Sequence, residues 1–302
     1  MFGSHLSIAG GLHNALLTAE RIGFDTVQVF SANPRQWASK SHYERGKNVA
    51  KDQQQWKCPR LLDEAVSTWK SHCTRLKFEH TVSHDSYLIN LAATNERFLV
   101  QSIDLFVEEL LRCAALSIPH LVTHPGAHMG AGEAAGLTKI IKSLNVIHER
   151  TPKAKGVTTC LEITAGQGSS LGYKLEHLAE IISRVKHPER LGVCLDTAHL
   201  FAAGYDFRGR KYAAFMKQIE QTIGADRIKV WHLNDSKKEL GSRVDRHDHI
   251  GKGTIGLDGF KPIVRDKRFR SVPKILETPK SKDEQGRDWD VVNLETLKGL
   301  MR

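Results

Sequence analysis

The stretch Gly192–Asp206 reads GVCLDTAHLFAAGYD, an apolar run ending in Asp196 with His199 three residues later. A carboxylate oxygen and an imidazole nitrogen placed where a strand gives way to a loop suit Zn²⁺ or Mn²⁺. An Asp just past a strand reads equally well as a helix N-cap. Other apolar runs finish the same way, in His84, His124, Glu162, His232 and Glu277, and a later loop holds Asp245-x-His247. Five imidazoles and four carboxylates are thus available to a single mouth. Four carboxylates gathered together repel one another and are costly to desolvate without cations. Divalent metals are the natural counter-charge, and the lack of thiolates points to a hydrolytic rather than a structural site. Nine ligands exceed the three or four of a mononuclear zinc centre, so two or three ions are implied. Closely spaced metals favour in-line attack on a phosphodiester, one activating water and another stabilising the leaving oxygen. The formal net charge of +10 agrees, because such a substrate is a polyanion.

Elements that position these groups follow from hydrophobic patterning. Strands are expected at Phe2–Ile8, Thr26–Phe30, Phe78–Ser83, His120–Thr123, Val157–Leu161, Gly192–Leu195, Ile228–Trp231 and Ser271–Leu276. Between them come helical stretches at Asn14–Ile22, Asn95–Leu116, Leu137–His148, Leu175–Val185, Phe215–Ile223, Leu257–Val264 and Val291–Leu300. Within Asn95–Leu116 the expected buried face carries Phe98, Ile103, Phe106, Leu110 and Leu111. Lys40–Trp69 reads as helix and irregular loop. Eight strands alternating with helices over 302 residues fit a (β/α)₈ TIM barrel, 1–302, as a single domain. A doubly wound open sheet is the alternative. In the barrel, chemistry belongs at the C-terminal strand ends, where the polar residues fall.

The rim adds Asn33-Pro34-Arg35-Gln36-Trp37 and Tyr87-Leu88. An Arg, an aromatic and an aliphatic there could wedge into a base stack; the plainer reading starts a helix at Tyr87 and Leu88 and turns both to the core. The Gly-rich turns Gly166–Gly168 and Gly251–Gly256 could meet phosphate through backbone N–H groups, or be tight turns only. Five cysteines without CxxC spacing (Cys58, Cys73, Cys113, Cys160, Cys194) read as small hydrophobes in a reducing compartment. Neither a signal peptide nor a membrane span is indicated, so a cytoplasmic protein is expected.

In chain order, HDSYLINL, THPGAH, LEITAGQG, LDTAHLFAAGYD, HLNDSK, SRVDRHDHIGKGTIG and ILETP resemble the endonuclease IV family of apurinic/apyrimidinic (AP) endonucleases, and the similarity runs from GSHLSIAGG to ETPK. The resemblance implies a TIM barrel holding three zinc ions that cleaves duplex DNA 5′ to abasic sites. It implies 3′-hydroxyl and 5′-deoxyribose phosphate products, removal of 3′-blocking groups, and a monomer without membrane association. It puts His84 and His124 on one zinc, with Glu162 bridging to a second completed by Asp196, His232 and Glu277, and gives the third to His199, Asp245 and His247. A metal-bound hydroxide is then the nucleophile, with Glu162 as the metal-bridging catalytic residue. Arg35, Tyr87 and Leu88 match residues that penetrate the helix at the lesion, and Gln36 is a DNA contact beside them. Ile163 stands where the family commonly has a polar residue, and Lys252 where an acidic one is frequent; neither is a ligand.

Two other readings use the same residues. A xylose isomerase-like divalent-metal sugar isomerase or epimerase shares the barrel and a two-metal site, but leaves His199, Asp245, His247 and the positive charge unexplained. A catalytically silent lesion-binding module leaves the complete ligand set unexplained.

Overall fold

The computed structural model describes residues 1–37 and 61–302. The expected helix or loop from Lys40 onward and Cys58 lie outside the described residues up to residue 60. Eight parallel strands run β1 Phe2–Ser4, β2 Gln28–Phe30, β3 Val82–His84, β4 His120–Thr123, β5 Thr158–Glu162, β6 Leu191–Asp196, β7 Ile228–His232 and β8 Lys274–Leu276. They form one sheet in the order β1-β8-β7-β6-β5-β4-β3-β2. The two outer strands meet through a parallel bridge between His5 and Gln28, and Leu6 N donates to Gln28 O at 2.9 Å. The sheet therefore curls into the expected (β/α)₈ barrel, not a doubly wound open sheet.

Helices α1 His13–Ile22, α2 Asp63–Leu76, α3 Glu96–Leu116, α4 Glu133–Arg150, α5 Leu175–Arg184, α6 Thr197–Ala203, α7 Tyr212–Thr222, α8 Leu257–Arg265 and α9 Trp289–Met301 pack around it. Their ends follow local chemistry. Asn95 caps α3 by accepting from Phe98 N at 3.2 Å, and Gly23 closes α1 at φ 87°, a left-handed conformation that glycine adopts without strain.

Two apolar layers hold the barrel. The larger lies between strands and helices. The smaller is a ring inside the barrel: Val82, Val122, Cys160, Cys194, Val230 and Ile275. Side chains two residues apart on a strand share a face. The next inward positions are therefore His84, His124, Glu162, Asp196, His232 and Glu277. An apolar floor and a polar layer above it are thus consecutive turns of one pleat.

Several expectations are corrected. Strands are shorter at β1 and β8 than the apolar runs Phe2–Ile8 and Ser271–Leu276. Phe78 is buried outside the ladder, because burial of an apolar side chain does not require its backbone to pair with a strand, whereas Leu6 keeps one backbone bond to Gln28 beyond the end of β1. Phe98 is 53% exposed, and the buried stripe of α3 runs instead through Leu99, Phe106, Leu110 and Cys113. Its position one residue away from Leu99 takes it off the helical stripe. No helix among the described residues is long and apolar enough to cross a membrane.

Two histidines outside the mouth, His148 buried and His120 half-buried, make stability pH-dependent. Burial, reinforced by Arg190, pulls His148 down to about 4; burial, reinforced by His80 and Lys229, does the same to His120. Each folds neutral, so its contribution is complete above the unfolded value of about 6.5 and is lost as pH falls towards about 4. His148→Leu, which takes up no proton, is expected to lose less stability between pH 7 and pH 5 in urea unfolding than the unsubstituted protein. An equal loss in both would reject this assignment.

Candidate metal centre

Glu162 stands at the centre of the mouth with no exposed surface. Its Oε2 lies 3.2 Å from His84 Nε2 and 3.3 Å from His124 Nε2. Its Oε1 lies 3.1 Å from both His232 Nδ1 and His199 Nδ1. One carboxylate thus turns separate oxygens to separate imidazole groups. Burial works to raise its pKa, but the imidazoles, His232 and His124 foremost, hold Glu162 well below the usual carboxylate range.

Among the described residues, three groups of donor atoms without a thiol are close enough to hold a cation: His84, His124 and Glu162; Glu162, Asp196, His232 and Glu277; and Asp196, His199 and His247. Asp245 joins the last through Oδ2 at 3.2 Å from His199 Nε2 and Oδ1 at 3.2 Å from His247 Nε2. All nine residues singled out from the sequence are brought together. Cys194, from the apolar ring below, also approaches Glu162 and His232, but burial pushes its thiol up and keeps it neutral.

Asp196 caps a helix and also stands among the donor groups. Its Oδ1 caps α6 by accepting from His199 N at 2.9 Å, while Oδ2 accepts from Asn234 Nδ2 at 2.6 Å. That second oxygen stands 3.8 Å from both His232 Nδ1 and His247 Nε2. Capping fixes the carboxylate's angle and leaves one oxygen facing the donors.

The imidazoles are oriented from behind. His84 Nδ1 meets Asp85 O at 2.9 Å, His199 Nδ1 meets Ile163 O at 2.9 Å, and His247 Nδ1 meets Glu277 O at 3.2 Å. A carbonyl accepts only, so each Nδ1 carries a proton and Nε2 is the atom turned to the carboxylates, where a cation would replace its proton. Ile163 acts through its backbone, with its side chain buried, which explains how an apolar residue stands there.

The donor set fits divalent metal. Burial alone would strip protons from His84 and His199, yet the surrounding carboxylates, Asp85 and Glu162 for one and Asp196, Asp245 and Glu162 for the other, hold both well above the ordinary imidazole value. Against the same burial, Asp196 and Asp245 hold His247 up at about 9. The cluster balances its carboxylates with protons, and a divalent cation takes the place of such protons. Among the described residues His247 Nε2 is buried and makes no aligned hydrogen bond; its nearest carboxylate oxygen is Asp245 Oδ1 at 3.2 Å, the pairing that a shared cation would replace.

Around the mouth lies a cavity of about 340 Å³ lined by His84, His124, His199, Asp245, His247 and Glu277, with Tyr87 and Lys280 among its other walls. Tyr87 is 71% exposed and meets Phe30 edge-on at 5.2 Å, so it does not turn to the core. Leu88 is half-buried. Arg35 is exposed, its backbone N held by Asn33 Oδ1 at 3.0 Å, and Gln36 N donates to Asn33 O at 3.2 Å in the same turn.

The Gly251–Gly256 turn is structural. Asp235 fills it, taking Gly251 N and Ile255 N at 2.9 Å each, so those N–H groups are not available to phosphate. A ribbon pairing Asp235–Ser236 with His247–Asp248, in a stretch expected to be loop, carries His247 to the mouth. Sequence reasoning also passed over Gln28, His5 and Asn234. The signal for Gln28 was a polar residue inside the apolar run TVQVF; Asn234 lay unremarked in HLND.

The chain matches the family described as "Xylose isomerase-like TIM barrel" over residues 16–297. It is 42% identical over 304 residues to "Probable endonuclease 4" of Chloroflexus aggregans, covering 100% of this chain and 98% of that one. To the protein of the same name from Geobacter sulfurreducens it is 44% identical over 301 residues, covering 99% and 94%. Among solved structures, endonuclease IV from Thermus thermophilus superposes with a TM-score of 0.80 at 30% identity over 99% of this chain and 98% of that chain. A D-tagatose 3-epimerase-like protein superposes at 0.69 but is 19% identical, over 99% and 96% of the two chains, a likeness of fold alone.

Asn234 holds Asp196 and also accepts from Glu277 N at 2.8 Å, so it braces two donors without being one. Asn234→Ala is expected to weaken zinc binding by about 10- to 100-fold in competition with a chromogenic chelator. Zinc should also raise the melting temperature of the unsubstituted protein more than that of the variant. Equal affinities would remove Asn234 from the metal centre.

Proposed function

Because this chain belongs to the endonuclease IV family of AP endonucleases, we propose that it is a DNA-repair hydrolase cleaving the phosphodiester 5′ to abasic sites in duplex DNA. Cleavage leaves a 3′-hydroxyl and a 5′-deoxyribose phosphate, and the same site removes 3′-phosphates and other 3′-blocking groups. The acting unit is one chain, residues 1–302, as a monomer. The observation that carries this reading is Glu162, a buried carboxylate whose two oxygens face different imidazole groups.

Three zinc ions complete the site in this proposal. His84 and His124 would hold the first, with Glu162 shared between it and a second that Asp196, His232 and Glu277 would complete, and His199, Asp245 and His247 would hold the third. Bound zinc supplies Lewis acidity, which eases deprotonation of the attacking water and offsets charge on the phosphate and the departing 3′-oxygen. The protein's part is placement. Strand ends hold the carboxylates at a fixed level, backbone carbonyls fix the imidazole tautomers, and capping by Asp196 fixes its free oxygen. No side chain in this scheme attacks phosphorus.

The substrate must be brought to a mouth lined by carboxylates, so its attraction comes from elsewhere. The surplus of 44 Lys and Arg over 34 Asp and Glu supplies it, with the strong salt dependence of phosphate binding. Arg35 and Gln36 on one rim segment, and Tyr87 with Leu88 on the next, reach into the duplex at the abasic site. Filling the gap left by a missing base costs less than unstacking an intact pair, and this difference gives selectivity.

Glu162→Gln is expected to abolish cleavage of an abasic duplex, as is prolonged chelation, while much of the duplex affinity survives in a gel-shift assay. Turnover retained by the variant would sink the role given to Glu162. Tyr87→Ala should narrow the affinity ratio between abasic and intact duplex by about tenfold, within the 1–3 kcal/mol of a stacking aromatic. An unchanged ratio would leave Tyr87 without a part in lesion recognition.

A further inference from the structure

Each of the eight strands leads to one inward polar residue at the mouth. Six of these belong to the donor groups, and the other two are His5 and Gln28. The Gln28 carboxamide touches three partners: Nε2 lies 2.6 Å from Glu277 Oε1 and 3.0 Å from His5 Nδ1, and Oε1 lies 2.8 Å from His232 Nε2. An ionised carboxylate accepts only, so the atom set against Glu277 is the amide nitrogen and the carbonyl faces His232. His232 therefore donates through Nε2, and the atom it turns to Glu162 and Glu277 is Nδ1, 3.1 Å from an oxygen of each.

The second amide hydrogen of Gln28 faces His5 Nδ1, which must accept it. The contact of His5 Nδ1 with Glu277 Oε1, at 3.2 Å, is the longer one and joins two acceptors served by the same amide. His5 thus carries its proton on Nε2. That atom is buried and has no hydrogen-bond partner among the described residues. A buried donor left unpaired in the protein calls for an acceptor from outside it. Phe30, with ring centroids 4.4 Å apart, helps hold the imidazole in place. His5 lines the metal cavity and also a second one of about 420 Å³, whose walls include Arg21, Lys280 and Lys282.

We propose that His5 is a neutral N–H donor to a phosphate oxygen of the bound DNA, on the Glu277 side of the mouth, and that Gln28 is the positioning residue that sets its tautomer. This rests on the reading of the site as a phosphodiesterase. No proton is transferred: the bond strengthens as charge gathers on the phosphate oxygens, which is how a fixed donor favours a transition state.

The test uses the full-length, zinc-loaded protein. Nitrogen-15 histidine spectra should show His5 protonated at Nε2, with that resonance moving when inorganic phosphate is added. Gln28→Met, which lacks the amide, should leave His5 as a mixture of tautomers. His5→Phe should keep its full zinc content by elemental analysis and cleave an abasic duplex about 100-fold more slowly in single turnover. His5→Gln, which can place an amide N–H near the position of Nε2, should recover at least about tenfold, and His5→Asn should not. Protonation at Nδ1, a resonance indifferent to phosphate, zinc loss in His5→Phe, or cleavage within about twofold of the unsubstituted protein would each overturn the proposal. If the unsubstituted protein leaves abasic duplex uncut, the functional reading fails, while the tautomer and the phosphate response still decide the role of His5.

Discussion

A carboxylate with no access to water, surrounded by four imidazoles, is the constraint on which the rest of the mouth depends. Glu162 can remain ionised there only because positive charge faces both of its oxygens. Protons on His84, His199 and His232 supply that charge in the metal-free protein, and divalent cations supply it in the proposed active form. The arrangement requires each imidazole to approach from a different strand or loop. The fold has to bring those chain segments to one level and hold them.

The barrel does so through the strand pleat. Six apolar or thiol side chains close the interior, and two residues further along the same strands the donors emerge. A slip of one residue in any strand would turn a donor into the helix layer and an apolar residue into the mouth. Register in the apolar ring and geometry at the metal centre are therefore the same property. The loops add what the strands cannot reach. Asp245 and His247 come from the segment after β7, held by the ribbon that pairs Ser236 with His247 and by the turn around Asp235.

Polar groups behind the donors do a further share of the positioning. Backbone carbonyls at Asp85, Ile163 and Glu277 take the Nδ1 protons of three histidines, and Gln28 fixes a fourth through Nε2. Asn234 joins Asp196 to the backbone of Glu277. These contacts limit how far the donors can relax when cations are absent. They also explain why an apolar Ile163 follows Glu162 without disturbing the centre, since its carbonyl and not its side chain faces His199.

The sequence by itself determined the candidate donors and the kind of fold. Their types are written at the ends of apolar runs, and eight alternations of strand and helix leave few other architectures. Asp196 was open between helix cap and ligand in the sequence, and only the tertiary structure could give it both positions, one oxygen for each. Phe98 shows the limit of periodicity, because an apolar residue one position off the stripe cannot be told from one on it until the packing partner is known. Gln28 and His5 show another. Their significance lies in contacts with Glu277 and His232, more than 200 residues away along the chain, and a lone polar residue in an apolar strand does not reveal what it will meet. Closing the barrel between β1 and β2 is what brings them to the mouth.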